Sequence, residues 1–161
     1  MPTFRNRRRL TFTPDQMFDL VADVEQYPQF VPLCETLRIT ERSANGHATI
    51  LVATMGVGYH AIRESFTTRV SLNRQKYEIL VEYLDGPFSH LENRWRFLHA
   101  DNGGCDVDFL LDYEFRSRML AMLMGTVFDK AFRKFSAAFE ARAHRIYKSP
   151  SSALRTADRP A

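Results

Sequence analysis

The stretch from residue 105 to residue 115, CDVDFLLDYEF, alternates apolar and acidic side chains along its length. One parity holds Cys105, Val107, Phe109, Leu111, Tyr113 and Phe115, and the other holds Asp106, Asp108, Asp112 and Glu114. A period of two is typical of a strand with one buried face. Residues 36–104 largely keep this period, with short turn signals such as Asn45-Gly46 and Asp85-Gly86 between segments. Because strand follows strand with short turns, we predict an antiparallel sheet.

The period changes to 3.6 after residue 117, where an apolar stripe runs through residues 118–147. The stripe comprises Leu120, Leu123, Met124, Val127, Phe128, Ala131, Phe132, Phe135, Phe139 and Ile146. At ~1.5 Å per residue, this pattern predicts one continuous helix of roughly 42 Å. Two interpretations stay open, because the stripe is wider than the ~100° that a packed helix needs. The helix is either plain core or a lid over a lipid-sized pocket.

The N-terminal region predicts a strand followed by a broken helix. Residues 3–12 alternate, and their charged face favours the edge of a sheet. Thr13 and Gln16 have the spacing of a capping box, so a helix begins there. Since the residue before a proline is biased away from helix, Pro28 and Pro32 predict a split into two short helices.

Together these elements predict an α+β fold. A curved antiparallel sheet of about seven strands would surround the long C-terminal helix, with two short helices after the first strand. A curved sheet and one helix do not fill the space between them, so we predict an apolar cavity. With 161 residues, one domain is expected, and we assign residues 1–147 to it. Residues 148–161 are small, polar and proline-bearing, which predicts a disordered tail.

Charge is distributed unevenly, although the formal net charge is only +3. Basic residues crowd both ends of the chain and could attract anionic lipid headgroups or RNA phosphate. Solvated edges are the plain alternative. The candidate membrane or RNA contacts are Arg7, Arg8, Arg9, Lys130, Arg133 and Lys134.

No catalytic motif is present, and the five histidines lack metal-ligand spacing. We therefore expect neither an enzyme nor a metal site. His60 and Glu64 share a parity with apolar neighbours, so they could form a buried acid/base pair; a bulge or strand end that exposes them is the alternative. Cys34 and Cys105 form no CxxC and are predicted as core residues in a reduced cytosolic setting, with a single disulfide left open.

Four segments carry a family resemblance: FDLVADVEQYPQFVPLC, YLDGPFSHLENRWRF, DYEFRSRM and FDKAFRKFSAAFEARAHRIY. Together they resemble the coenzyme Q-binding family of START-like proteins, part of the polyketide cyclase/dehydrase superfamily. This family includes mitochondrial coenzyme Q-binding proteins and bacterial ribosome-association toxins. The resemblance covers about residues 3–147 and implies a helix-grip fold with a hydrophobic cavity. One departure is Leu33, near which the family usually has Trp.

The resemblance also places the two short helices beside the cavity mouth. Phe30, Val31 and Leu33 would then line the entrance opposite Phe88 and Leu91, or else plug the end of the core. The full set of predicted cavity residues is Phe30, Val31, Leu33, Phe66, Tyr77, Tyr83, Phe88, Leu91, Trp95, Met119, Leu123, Val127 and Phe128. Polar partners for a quinone ring would come from Tyr59, Tyr77, Tyr83 or Glu64.

The function that follows is non-enzymatic binding of ubiquinone or a similar isoprenoid lipid, as a carrier or chaperone that supports respiratory electron transport. Ubiquinone would be a bound ligand and not a catalytic cofactor. The expected location is the bacterial cytoplasm, including the periphery of the inner membrane. The alternative is a toxin that binds the large ribosomal subunit and inhibits translation initiation. Cyclase or dehydratase catalysis rests on superfamily analogy alone.

Overall fold

Residues 3–147, which the computed structural model describes, form seven strands and four helical segments. The strands are β1 (Thr3–Leu10), β2 (Cys34–Asn45), β3 (Ala48–Tyr59), β4 (Ile62–Asn73), β5 (Glu78–Asp85), β6 (Phe88–His99) and β7 (Cys105–Phe115). Helix α1 (Pro14–Ala22) and a 3-10 helix (Val24–Gln29) follow β1, while α2 (Arg118–Arg133) and α3 (Phe135–Ile146) follow β7. The predicted tail, residues 148–161, lies outside the described residues.

All seven strands form one antiparallel sheet in the order β1-β7-β6-β5-β4-β3-β2. Hairpins connect β2 through β7 in succession, whereas β1 reaches back to pair with β7. On β7, the apolar parity from Cys105 to Tyr113 is buried, as the alternation predicts. The helices cover this inner face of the sheet. The predicted α+β helix-grip architecture is therefore confirmed.

The break in the N-terminal helical region is not where the prolines predict it. Thr13 and Gln16 make both hydrogen bonds of the expected capping box. Helix α1 then ends at Ala22, and Asp23 caps it, ahead of Pro28. Pro28 lies inside the 3-10 helix, whose tighter turn is commonly used in short connecting pieces. The division into two short helices is right, but assigning it to Pro28 and Pro32 is wrong.

The C-terminal segment is two helices, and the prediction of one continuous helix is wrong. Lys134, at φ −92° and ψ −5°, separates α2 from α3. Its amide donates to the carbonyls of Ala131 and Phe132, which closes the last turn of α2. Helices are usually interrupted at Pro or Gly. Neither residue type occurs at this position. The 3.6-residue apolar period of the sequence therefore runs through the break without revealing it.

Strand β1 lies at a sheet edge, as predicted, and holds α3 through its inner face. The Asn6 amide donates to the Ser136 hydroxyl at 3.0 Å, and Arg8 donates to Glu140 at 3.1 Å. These two polar side chains interrupt the apolar parity of β1 because they meet polar groups of α3.

The helices of residues 3–147 include none with the length and hydropathy of a membrane span.

Candidate functional site

A cavity of about 80 Å³ lies between the inner face of the sheet and the helices α2 and α3. Its walls come from the six strands β2 to β7, from the 3-10 helix and the turn that follows it, and from the aromatic faces of α2 and α3. The lining residues are Val24, Tyr27, Val31, Pro32, Leu33, Leu37, Ala53, Met55, Val57, Phe66, Thr68, Val70, Val81, Leu91, Asn93, Trp95, Leu111, Phe128, Phe132, Phe135 and Phe139. The lining is mostly aliphatic and aromatic, so the space suits an apolar ligand.

Three lining residues supply polar groups: Tyr27, Thr68 and Asn93. The Asn93 amide nitrogen donates to the Leu110 carbonyl at 2.8 Å, and its oxygen accepts from Trp95 Nε1 at 2.8 Å. The Tyr27 hydroxyl donates to the Val21 carbonyl. Burial raises the pKa of the Tyr27 phenol, so this group stays neutral. The cavity wall is therefore apolar apart from three uncharged polar side chains, of which hydrogen bonds fix Tyr27 and Asn93.

Several residues from the sequence-based set share this cavity. They are Val31, Leu33, Phe66, Leu91, Trp95 and Phe128. Leu33 has φ +68°, a conformation that is uncommon for a residue with a side chain and that orients the turn before β2. Phe88 lies just outside the lining and packs its ring against Phe66 and Phe128. The Tyr83 hydroxyl accepts a hydrogen bond from the Phe88 amide at 3.2 Å.

Other predicted residues lie elsewhere. Phe30 closes one end of the core, with its ring 5.0 Å from that of Phe139. Tyr77 packs against Phe18, away from the cavity. Met119 and Leu123 are exposed on α2. Of the proposed partners for a quinone ring, Tyr59, Tyr77, Tyr83 and Glu64, the structure places none in the cavity lining.

Sequence reasoning missed the polar lining residues, although a signal for two of them exists. Thr68 shares the parity of Phe66 and Val70, and Asn93 shares that of Leu91 and Trp95. A polar residue within an apolar parity was the available clue. Tyr27 carries no such signal, because the 3-10 geometry that turns it inward is not readable from spacing.

A small cleft adjoins the cavity between α2 and the hairpin of β3 and β4. Its lining residues are Val57, Gly58, Tyr59, Ile62, Met124, Val127 and Phe128. Val57 and Phe128 line both spaces, so they form the partition between them. The predicted residue Val127 belongs to this cleft.

Acidic side chains neutralise much of the N-terminal basic cluster. Arg7 pairs with Asp108 at 2.5 Å, Arg9 with Asp106 at 2.9 Å, and Arg8 with Glu140, as described above. The hydrogen bond from Arg9 lowers the pKa of Asp106. Arg133 pairs with Asp129 in α2, while Lys130 and Lys134 are exposed. Arg7, Arg8 and Arg9 therefore hold β1 to β7 and α3, and these ion pairs offset much of their charge.

The outer face of the sheet carries a second basic feature. An open groove of about 760 Å³ is lined by Arg5, Asn6, Arg7, Glu92, Arg94, Arg96, Asp108, Phe109 and Leu110. Arg94 pairs with Glu92 at 2.8 Å, and Arg96 lies 3.6 Å from Glu78. Within residues 3–147, Arg5 has no carboxylate within ion-pair distance. We call this feature the outer groove.

The titratable groups considered for catalysis are not brought together. His60 is exposed in the turn between β3 and β4, and Glu64 is half-buried near the start of β4. Among the described residues, no hydrogen bond joins them. Cys34 and Cys105 are buried free thiols, and burial raises their pKa to about 11 and about 12. Both thiols are therefore protonated at neutral pH and poorly suited to act as nucleophiles.

Comparison with known proteins places this geometry in context. The family model described as polyketide cyclase/dehydrase and lipid transport matches residues 10–140. The ribosome association toxin RatA of Escherichia coli is 34% identical over 149 residues, which are 92% of this chain and 91% of that protein. A mitochondrial coenzyme Q-binding protein, COQ10 homolog B of Xenopus laevis, is 32% identical over 142 residues, which are 86% of this chain and 56% of that protein.

Solved structures share the fold. An 18 kDa protein of Caulobacter crescentus is 36% identical, with a TM-score of 0.73 over 91% of this chain and 98% of that chain. A Streptomyces aromatase/cyclase, Zhui, gives a TM-score of 0.75 at 18% identity, over 89% of this chain and 94% of that chain. At that identity the second similarity concerns the fold alone.

Proposed function

This chain belongs to the polyketide cyclase/dehydrase and lipid transport family, and on that basis we propose that it binds a polyprenyl quinone or a similar isoprenoid lipid without acting as an enzyme. The observation that carries the proposal is the apolar cavity with Asn93 fixed in its wall. In this proposal the protein is a carrier or chaperone that supports respiratory electron transport. Its location would be the bacterial cytoplasm, in contact with the inner membrane.

The energetics favour an apolar tail. Each CH₂ group removed from water stabilises a complex by about 0.8 kcal/mol, so a short piece of an isoprenoid chain supplies several kcal/mol. An engineered apolar cavity of about 150 Å³ holds one benzene molecule. Because the cavity here is about 80 Å³, a quinone needs the aromatic side chains of α2 to move outwards. The ring would then lie near Asn93 and Trp95.

Trp95 makes the proposal directly measurable, since it lines the cavity and is the only tryptophan in the sequence. A quinone ring quenches tryptophan emission at short range. We expect a short-chain ubiquinone to quench Trp95 saturably, and organic extraction of the purified protein followed by mass spectrometry to yield an isoprenoid quinone. An empty extract together with unsaturable quenching would contradict the proposal.

A matched pair of variants locates the binding. Ala53→Phe adds a ring inside the cavity, where Ala53 is 3% exposed. Such overpacking typically costs about 1–3 kcal/mol, so thermal unfolding must show that the variant remains folded. Ala137→Phe makes the same change at an exposed position of α3. Quenching should be lost in the first variant and retained in the second; equal quenching in both would place the quinone elsewhere.

Association with the large ribosomal subunit is the second candidate. The relatives named ribosome association toxin span nearly the whole chain, and the outer groove offers Arg5, Arg7, Arg94 and Arg96 to RNA phosphate. The test is co-sedimentation with purified large subunits over a series of salt concentrations. Arg5→Glu with Arg94→Glu should abolish binding, whereas Arg38→Glu with Arg69→Glu, at exposed positions outside the groove, should not. An affinity for the large subunit that does not change with salt concentration would contradict contacts with RNA phosphate.

A further inference from the structure

Helix α2 presents apolar side chains on two faces, and only one of them is covered. Met124, Phe128 and Phe132 are buried against the sheet. Met119, Met122 and Leu123 are exposed, with relative accessibilities of 70%, 83% and 61%. At about 100° per residue, these three side chains lie on the face opposite the buried stripe. We call these three residues the α2 ridge.

The surroundings of the ridge are basic. Between residues 114 and 134 the sequence has five basic residues, Arg116, Arg118, Lys130, Arg133 and Lys134, and two acidic residues, Glu114 and Asp129. Asp129 already accepts a hydrogen bond from Arg133 at 3.4 Å. The first turn of α2 contains no acidic residue. An apolar ridge with this charge matches an anionic surface that has an apolar interior.

The ridge also lies next to the cleft that adjoins the cavity. Leu123 and Val127 are one turn apart on α2, and Val127 faces Tyr59 across the cleft. Tyr59 is itself 44% exposed, so it extends the apolar rim onto the hairpin of β3 and β4. Only Val57 and Phe128 are shared by the cleft and the cavity, as described above. A surface contacted by the ridge would therefore meet the cleft as well.

We propose that the α2 ridge, together with Arg116 and Arg118, docks the protein on a membrane surface rich in anionic lipid. The ridge side chains enter the boundary between headgroups and acyl chains, and the arginines contact the lipid phosphates. The inference deepens the proposed function and rests on it, because a carrier of an isoprenoid lipid must exchange its ligand at a membrane. The sequence-based candidates for this contact lie on both β1 and α2; the proposal keeps α2, centres the contact on its apolar ridge and leaves out the arginines of β1.

The test is flotation of the full chain with vesicles of phosphatidylcholine, with and without phosphatidylglycerol. We expect binding to the vesicles that contain phosphatidylglycerol. Met119→Gln with Met122→Gln should weaken that binding roughly tenfold or more, since apolar burial drives insertion. Leu84→Gln is the matched control, because Leu84 is 43% exposed but lies on β5. Arg116→Gln with Arg118→Gln should weaken binding and reduce its salt dependence.

Several results would overturn the inference. The first is that the wild-type chain does not float with the vesicles. The second is that the double Met variant binds vesicles as tightly as the wild type. The third is that Leu84→Gln weakens vesicle binding as much as the double Met variant does. If the double Met variant instead abolishes self-association in sedimentation velocity, or only ribosome binding, the ridge serves a second copy or a ribosomal partner. Quenching of Trp95 by quinone is measured on the same variants. A variant that no longer floats but is still quenched by quinone has lost docking only. A chain that floats but is not quenched has lost quinone binding only.

Discussion

The two faces of helix α2 both carry large apolar side chains but have opposite environments. On one face, Phe128 and Phe132 are 2% and 5% exposed and pack against the aromatic rings of β7. On the other face, the α2 ridge projects into solvent. The difference shows that the width of an apolar stripe does not measure burial: only the part aimed at the sheet becomes core. The remainder is free to serve contacts outside the chain.

The largest effect is expected on the buried face. Phe132→Ala removes a ring that lies 4.8 Å from Tyr113 and 5.4 Å from Phe128. The resulting cavity should lower the free energy of unfolding by about 3–5 kcal/mol. Urea denaturation followed by circular dichroism measures the change. A loss below about 1 kcal/mol would mean that α2 packs loosely on both faces.

The polar wall of the cavity should have the next largest effect. Asn93→Ala leaves Trp95 Nε1 and the Leu110 carbonyl without their partner. An unsatisfied buried polar group costs about 1–3 kcal/mol, so a loss of stability in this range is expected. Trp95 emission should shift at the same time, because its immediate environment changes. Unchanged emission would show that this hydrogen bond does not hold the indole.

Polar contacts at the edge of the molecule should have smaller effects. Arg8 and Glu140 are partly exposed and join β1 to α3. A double-mutant cycle with Arg8→Ala and Glu140→Ala should give a coupling energy of about 0.2–1 kcal/mol, as for other exposed pairs. Denaturation of the four proteins supplies the cycle. A coupling energy well above this range would mean that the ion pair, and not only apolar packing, holds α3 against β1.

Acid should weaken the edge of the sheet before the buried face. Hydrogen bonds from Arg9 lower the pKa of Asp106, and those from Thr3 and His90 lower the pKa of Asp112. Their stabilising contribution is present above the ~3.9 of an unfolded aspartate and is lost as the pH falls through the lowered values. The protection factors of β1 amides, which correct for the slower intrinsic exchange in acid, should therefore fall as the pH is lowered, while those of β6 stay high. An equal fall of the protection factors in both strands would contradict this order.

The smallest effect on stability is expected at the α2 ridge. Met122→Gln exchanges an 83% exposed side chain for another good helix former. The free energy of unfolding should change by no more than about 0.5 kcal/mol. Urea denaturation in parallel with Phe132→Ala makes the comparison direct. A larger loss would show that the ridge is covered in solution, for example by another copy of the chain.

The sequence predicts the sheet better than the helices because the two rest on different kinds of signal. The parity of Phe109, Leu111 and Tyr113 reports directly on burial, since a strand has only two faces. A helix pattern does not locate a break such as Lys134, because the apolar periodicity continues on both sides of it and neither Pro nor Gly marks it. The polar cavity residue Asn93 was readable from its parity, whereas the pairing of Arg7 with Asp108 depends on strand order. Whether the predicted cavity residues touch a ligand remains a prediction.

The break at Lys134 divides the C-terminal segment into α3, which side-chain hydrogen bonds hold in place, and α2, which among the described residues has no such bonds to the sheet. Helix α3 is tied to β1 through Ser136 and Glu140 and to the 3-10 helix through Arg142, which donates to Gln29 at 3.0 Å. Among residues 3–147, no side-chain hydrogen bond ties α2 to the sheet; apolar packing holds it there, together with the Arg133 guanidinium, which lies over the Phe4 ring of β1, 4.7 Å from the ring centroid. A rotation of α2 about Lys134 would therefore break no side-chain hydrogen bond to the sheet. The displacement would be largest at the N-terminal end of α2, where the α2 ridge lies.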